Sequence, residues 1–145
     1  MRIFFDTLVL VAAFVNTHPR HTNCLPWLQR VKKKEIEGII SVHTLVELYS
    51  ILTKLPLSPR INPELALKLI EENILEDFEL ASYDKKDYIN LLGDLSRGNI
   101  SGGASYDGLI LNAAKRVNAD KILTLNVNDF IRVCPQLVKI ISEPV

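Results

Sequence analysis

Three acids and one amide stand along the chain where their oxygens could act together on one ligand, namely Asp6, Glu47, Asp107 and Asn126. Carboxylate and amide oxygens are hard ligands, which suit Mg²⁺ or Mn²⁺ better than zinc or copper. Convergence of the acids would itself require compensation. Two carboxylates about 5 Å apart at an effective dielectric near 20 repel by roughly 3 kcal/mol. Either one acid then keeps a proton or a cation sits among them. Each residue also has a plain structural use. Asp6 and Thr7 suit the cap of a following helix. Glu47 shares a helical stripe with His43, Ser50 and Lys54, the pattern of a solvated face. Asp107 in a first helical turn complements the helix dipole, an effect of about 0.3 to 1 kcal/mol. Asn126 suits a turn.

The elements that carry these residues decide between the two uses. Ile3-Phe4-Phe5 is a short apolar run of the kind that fills a strand covered on both faces, and it stops at Asp6. Leu8 to Val15 is compatible with a helix. A second helix is expected to begin near Pro26 and to close on Lys32-Lys33-Lys34, where cations favour a helix C-terminus. Ile39-Ile40 reads as a second buried strand ending at Ser41, which can cap a helix carrying His43 to Leu52. Asn62-Pro63-Glu64 opens another helix, and Phe78 to Ala81 reads as a third strand. Asp84 caps a helix through Leu95 that frays at Arg97-Gly98, followed by a flexible loop from Gly98 to Gly103. Tyr106, Leu109, Ile110, Ala113 and Val117 repeat at helical spacing, so Ser105 to Asn118 is an amphipathic helix with Asp107 in its first turn. Lys121 to Leu125 is a fourth strand ending at Asn126. Asp129-Phe130 falls in a short turn, and Lys139-Ile140-Ile141 is a small fifth strand.

Strands thus alternate with helices almost throughout. That pattern predicts an α/β fold, a three-layer α/β/α sandwich around a mainly parallel sheet of four or five strands. Asp6 then ends the first strand, Glu47 lies on the helix after the second, Asp107 opens the helix before the fourth, and Asn126 follows the fourth. All fall toward the carboxyl rim, where open α/β sheets bind ligands.

The 145 residues suit a single domain spanning 1–145, and 48% hydrophobic with 23% charged residues is ordinary globular composition. Seventeen basic residues balance seventeen acidic ones, so bulk charge holds no nucleic acid; a local basic patch or metal ions must do so. Cys24 and Cys134 form no CxxC pattern and read as buried thiols. No stretch has the length of a membrane span, and Asp6 interrupts the opening apolar run, so a soluble, cytoplasmic protein is expected.

Four segments in this order resemble the PIN domain, the ribonuclease fold used by the toxins of VapBC toxin–antitoxin pairs. They are Phe5-Asp6-Thr7, Ser41 to Leu48, Gly103 to Ile110, and Ile122 to Phe130. The resemblance spans nearly the whole chain. It implies that Asp6, Glu47 and Asp107 are the family's three core acids, which bind Mg²⁺ or Mn²⁺. It places a fourth polar position at Asn126 or at Asp129, and Thr124 matches a hydroxyl residue that supports the site, as Thr7 does beside Asp6. Leu8 departs from the pattern, because the family usually has a small polar residue there. The implied activity is metal-dependent cleavage of RNA phosphodiesters leaving a 5′-phosphate, and the implied partners are a small antitoxin and a second copy of the chain.

Arg97, beside the Gly-rich loop leading to Asp107, is the candidate phosphate contact. Lys32-Lys33-Lys34 and Lys115-Arg116 read as solvated faces. A catalytically silent module that holds RNA or protein in the same cleft is the alternative function. A nucleotide-binding or phosphotransfer domain is disfavoured, because no GxGxxG or GxxxxGK[ST] follows a strand and DxDxT would need an acid at Leu8.

Overall fold

Strand β1 (Arg2–Phe5) occupies the middle of a five-stranded, wholly parallel sheet of order β3-β2-β1-β4-β5. Its neighbours are β2 (Glu37–Ser41) and β4 (Lys121–Leu123), with β3 (Phe78–Ala81) and β5 (Ile141–Ser142) at the edges. The computed structural model describes all residues 1–145. Ile3, Phe4 and Phe5 are completely buried, because the central strand is covered on both faces. Burial of each such side chain stabilises the fold by about 1.5 to 3 kcal/mol.

The strand's alternation sorts the helices into two layers. Ile3 and Phe5 join a core with residues of α1 (Thr7–Phe14), α2 (His21–Lys32), α3 (Val42–Lys54) and α4 (Pro63–Ile70). Phe4 points the other way and packs with Ile39 and Ile122 against α6 (Ala104–Arg116) and Phe130 of α7 (Val127–Val133). Helix α5 (Lys85–Arg97) lies against α6 and begins with a capping box between Asp84 and Asp87. The three-layer sandwich expected from the alternation of elements is therefore the observed fold, and all five strands are parallel.

Several element boundaries differ from the sequence expectation. Helix α2 starts at His21, and Pro26 lies inside it. Its entry is fixed from outside: the His21 ring Nδ1 lies 2.8 Å from the Ala12 carbonyl oxygen. Residues 127–133 form α7 where the sequence suggests a turn, and β4 stops at Leu123. Ser41 occupies the N-cap position of α3, yet its hydroxyl makes no cap bond and is buried without a partner. Tyr106, placed by periodicity on the inward stripe of α6, is 60% exposed.

Candidate active site

The strand order reverses at β1: β2 lies on one side of it and β4 on the other. That switch point leaves a crevice at the carboxyl ends of β1 and β4, and Asp6 stands in it. Continued one residue past Phe5 and Leu123, the β1/β4 register brings Asp6 beside Thr124. The Thr124 hydroxyl donates to Asp6 Oδ2 at 2.9 Å, and the Thr7 backbone N–H donates to Oδ1 at 2.9 Å. The Asp6 backbone N–H bonds the Leu123 carbonyl at 3.0 Å. Asp6 also caps α1, so its capping use and its place in the crevice coincide. Thr7 and Thr44, both fully buried, join hydroxyls at 3.1 Å and tie the start of α1 to α3.

Burial dominates the electrostatics of Asp6. It pushes the carboxyl up from 3.8 to about 6, against the pull of the bonds from Thr124 and Thr7, and the charges of Glu47 and Asp107 push it further up. Asp107 is also raised, first by burial, then by the charges of Asp129 and Glu47. Asp6 and Asp107 therefore both sense Glu47, and Asp129 adds to the field at Asp107.

Glu47 projects from the second turn of α3, and its Oε2 lies 3.0 Å from His43 Nε2, one turn earlier. Glu47 and Asp107 line one cleft of about 500 Å³. Asp107 also lines a second cleft with Asp129 and Arg132. Asp129, in the first turn of α7, pairs with Arg132 at 3.3 Å. Asn126 donates its backbone N–H to the Thr124 hydroxyl at 3.0 Å, which steadies the group that holds Asp6. Of the two fourth-position candidates, Asp129 is the one whose charge reaches Asp107.

Arg97 lies elsewhere. It ends α5, pairs with Asp94 and folds over Gly93, so no contact brings it to the acids. Arg132 is the cation beside the site, and its spacing of i+3 from Asp129 was the signal available in the sequence. Lys32 bonds the Glu72 carbonyl and Asn73, and Arg116 bonds Asp87 and lies over the Tyr83 ring. One residue of each basic cluster thus has structural employment. Leu8 is 36% exposed and brings no polar group to Asp6.

The donor set is oxygen-only and fits a hard divalent cation. Asp6 presents a carboxylate already oriented by two donors, and the charges of Glu47 and Asp107 reach it. No three of these side chains are gathered closely enough to enclose one ion, Glu47 being turned toward His43. Mg²⁺ is commonly held by one or two carboxylates with several waters, so a gathered triad is not a condition for binding it.

A doubly wound parallel sheet with a buried carboxylate at its switch point, and two further carboxylates sharing a cleft and near enough to shift it, is an acidic-site α/β domain. The chain belongs to the PIN domain family, whose model matches residues 3–134. It is 37% identical to Ribonuclease VapC40 of Mycobacterium tuberculosis over 123 residues, 82% of each chain. It is 32% identical to Ribonuclease VapC27 of the same organism over 115 residues, 79% of this chain and 78% of that one. Among solved structures, VapBC2 from Rickettsia felis, bound to a promoter DNA fragment, superposes with a TM-score of 0.65 at 23% identity, covering 99% of this chain and 98% of that one. VapC20 of Mycobacterium tuberculosis, described as a Sarcin-Ricin loop cleaving toxin, superposes at 0.62 with 15% identity, covering 83% and 86%.

Proposed function

We propose that the chain is a divalent-cation-dependent endoribonuclease and the toxin of a toxin–antitoxin pair. The observation that carries the chemistry is Asp6: a buried carboxylate fixed by two hydrogen bonds at the switch point, with Glu47 and Asp107 close enough to raise its proton affinity. The names of the two curated relatives support RNA as the substrate class. The solved neighbours VapBC2 and FitAB, the latter bound to a DNA fragment, support an antitoxin partner.

In this reading Asp6 and Asp107 hold Mg²⁺ or Mn²⁺ and Glu47 holds the ion or orients the attacking water. The cation, when bound, lowers the pKa of water and offsets charge developing on the phosphate. The chain's own residues prepare that chemistry. Thr124 and Thr7 fix both oxygens of Asp6, Asn126 steadies Thr124, and Asp129 adds negative charge beside Asp107. Glu47 must leave His43 to reach an ion held by Asp6 and Asp107. Arg132, exposed beside Asp129, takes the phosphate-contact role expected of Arg97.

The test is cleavage of single-stranded RNA by the purified chain with Mg²⁺ or Mn²⁺ against a chelator. Metal-dependent cleavage by the native chain, abolished in Asp6→Asn with the fold intact, is the expected result. Equal cleavage by the variant in a clean preparation overturns the assignment. The silent binding module is the second reading, favoured by the His43–Glu47 pair and by the open spacing of the acids. It expects no cleavage and no thermal stabilisation by either ion. Association with a second copy belongs to the toxin reading, and light scattering of the purified chain measures it.

A further inference from the structure

The cleft in front of Glu47 and Asp107 holds an aromatic pair that the hydrolytic chemistry does not use. Tyr106 immediately precedes Asp107 on α6, and its ring lies nearly parallel to the His43 ring on α3, with centroids 5.5 Å apart and planes 15° apart. His43 backs one face of the tyrosine. The ring is therefore supported from one side, yet Tyr106 remains 60% exposed. Helical periodicity assigns it to the core; the structure turns it outward across the gap between α3 and α6.

The space beside it has the character of a base site. Val46 and Ser50 line the cleft with the aromatic pair and the two acids, and no lysine or arginine does. Phosphate attraction therefore cannot supply affinity there. At Gly103, on the same wall, a side chain would meet nothing within 4 Å, so the cleft stands open. An exposed, backed π-face beside an exposed apolar residue, without cations, suits a planar uncharged ring. Val46 is 72% exposed and extends that surface.

We propose, resting on the ribonuclease reading above, that Tyr106 backed by His43 is the stacking platform for one nucleobase of a single-stranded RNA substrate, adjacent to the phosphate that the acids address. Stacking of this kind accepts every base, because each has a π-face, and favours those that stack most strongly. A preference for purine at that one position follows.

The experiment places 2-aminopurine at each position in turn of a short single-stranded RNA and titrates it with the Asp6→Asn chain, which binds without cutting. Fluorescence should be quenched at one position. Tyr106→Ala in the same background should abolish that quenching and weaken binding by about 5- to 150-fold, the range for loss of one base–aromatic stack. Tyr106→Trp should retain both, and Tyr106→Leu should behave as the alanine variant. The exposure of Tyr106 makes these variants foldable, and thermal melts verify it. Unchanged quenching and affinity in Tyr106→Ala overturn the proposal. A fall in kcat with KM and quenching unchanged, in the otherwise native chain, makes Tyr106 a positioning residue for Glu47 and also overturns it. Quenching without cleavage by the native chain removes the nuclease reading while upholding the stacking site; cleavage without quenching does the reverse.

Discussion

Asp6 pays for its position with its proton affinity. Its carboxyl in the folded chain titrates near 6, above the ordinary 3.8, because burial outweighs the bonds from Thr124 and Thr7. The native state therefore holds this proton more tightly than the unfolded state. The resulting stabilisation is complete at low pH and is lost as pH rises through about 6. A shift of roughly two pH units corresponds to about 3 kcal/mol. Asp6→Asn removes the ionisation while keeping an acceptor for the Thr7 N–H. In metal-free urea denaturation the variant should gain up to about 3 kcal/mol over the native chain at pH 8, and the gain should vanish near pH 3. A gain of the same size at both values contradicts this origin of the shift. On the proposed reading a cation must displace this proton, so the affinity for Mn²⁺ should rise with pH up to about 6 and level off above it. At this scale Asp6, Glu47 and Asp107 were legible in the sequence as acids at equivalent places in the α/β layout. Tyr106 was not, because periodicity records a helical face and says nothing of a ring that reaches across to another helix. Nor could spacing decide between Asn126 and Asp129, since that choice depends on α7 bringing Asp129 toward Asp107.

Elements meet at a few contacts whose loss can be gauged. Thr124 joins β4 to the end of β1, donating to Asp6 and accepting from the Asn126 N–H. Thr124→Val leaves both groups short of a partner and should cost about 1 to 3 kcal/mol by urea denaturation. Asp6 also loses a bond that lowers its pKa in the metal-free chain, so the pH at which Mn²⁺ affinity levels off should move upward; a value that stays or falls contradicts the role given to Thr124. Gly38 lets β2 pass under its neighbours. A Cβ there would lie 2.6 Å from the Phe78 ring and 2.8 Å from Val31, both in the core. Gly38→Ala should cost about 1 to 3 kcal/mol. At Gly108 the close contact is the tip of Leu95, a movable methyl, so Gly108→Ala should cost less in the same assay. The buried strands were readable because Ile3-Phe4-Phe5 and Ile39-Ile40 are unbroken apolar runs. The start of α2 was not, because Pro26 imitates a first-turn residue while the true entry is set by His21 against Ala12. Helix α7 was hidden by the polar residues at its start, Asn126, Asn128 and Asp129, and by its brevity.

For the whole molecule, the fold and the site answer one another. The switch at β1 gathers the ends of β1 and β4 with the helices that carry Glu47 and Asp107, and the chain's balanced charge leaves attraction of the proposed RNA substrate to local features. An ion that binds only the folded chain stabilises it by mass action, about 2.7 kcal/mol at a hundred times its Kd. Mn²⁺ should therefore raise the melting temperature of the native chain and leave Asp6→Asn nearly unmoved; equal shifts would place the ion elsewhere. The overall architecture was legible because alternating strands and helices admit few arrangements, whereas the open spacing of the acids depends on side-chain rotamers such as that of Glu47 toward His43. The most direct measurement is an anomalous difference map from crystals soaked in Mn²⁺. A metal-dependent nuclease of this design should show a peak between the Asp6 and Asp107 carboxylates, with Glu47 swung away from His43. A map without density there, at Mn²⁺ concentrations that support cleavage, would contradict it.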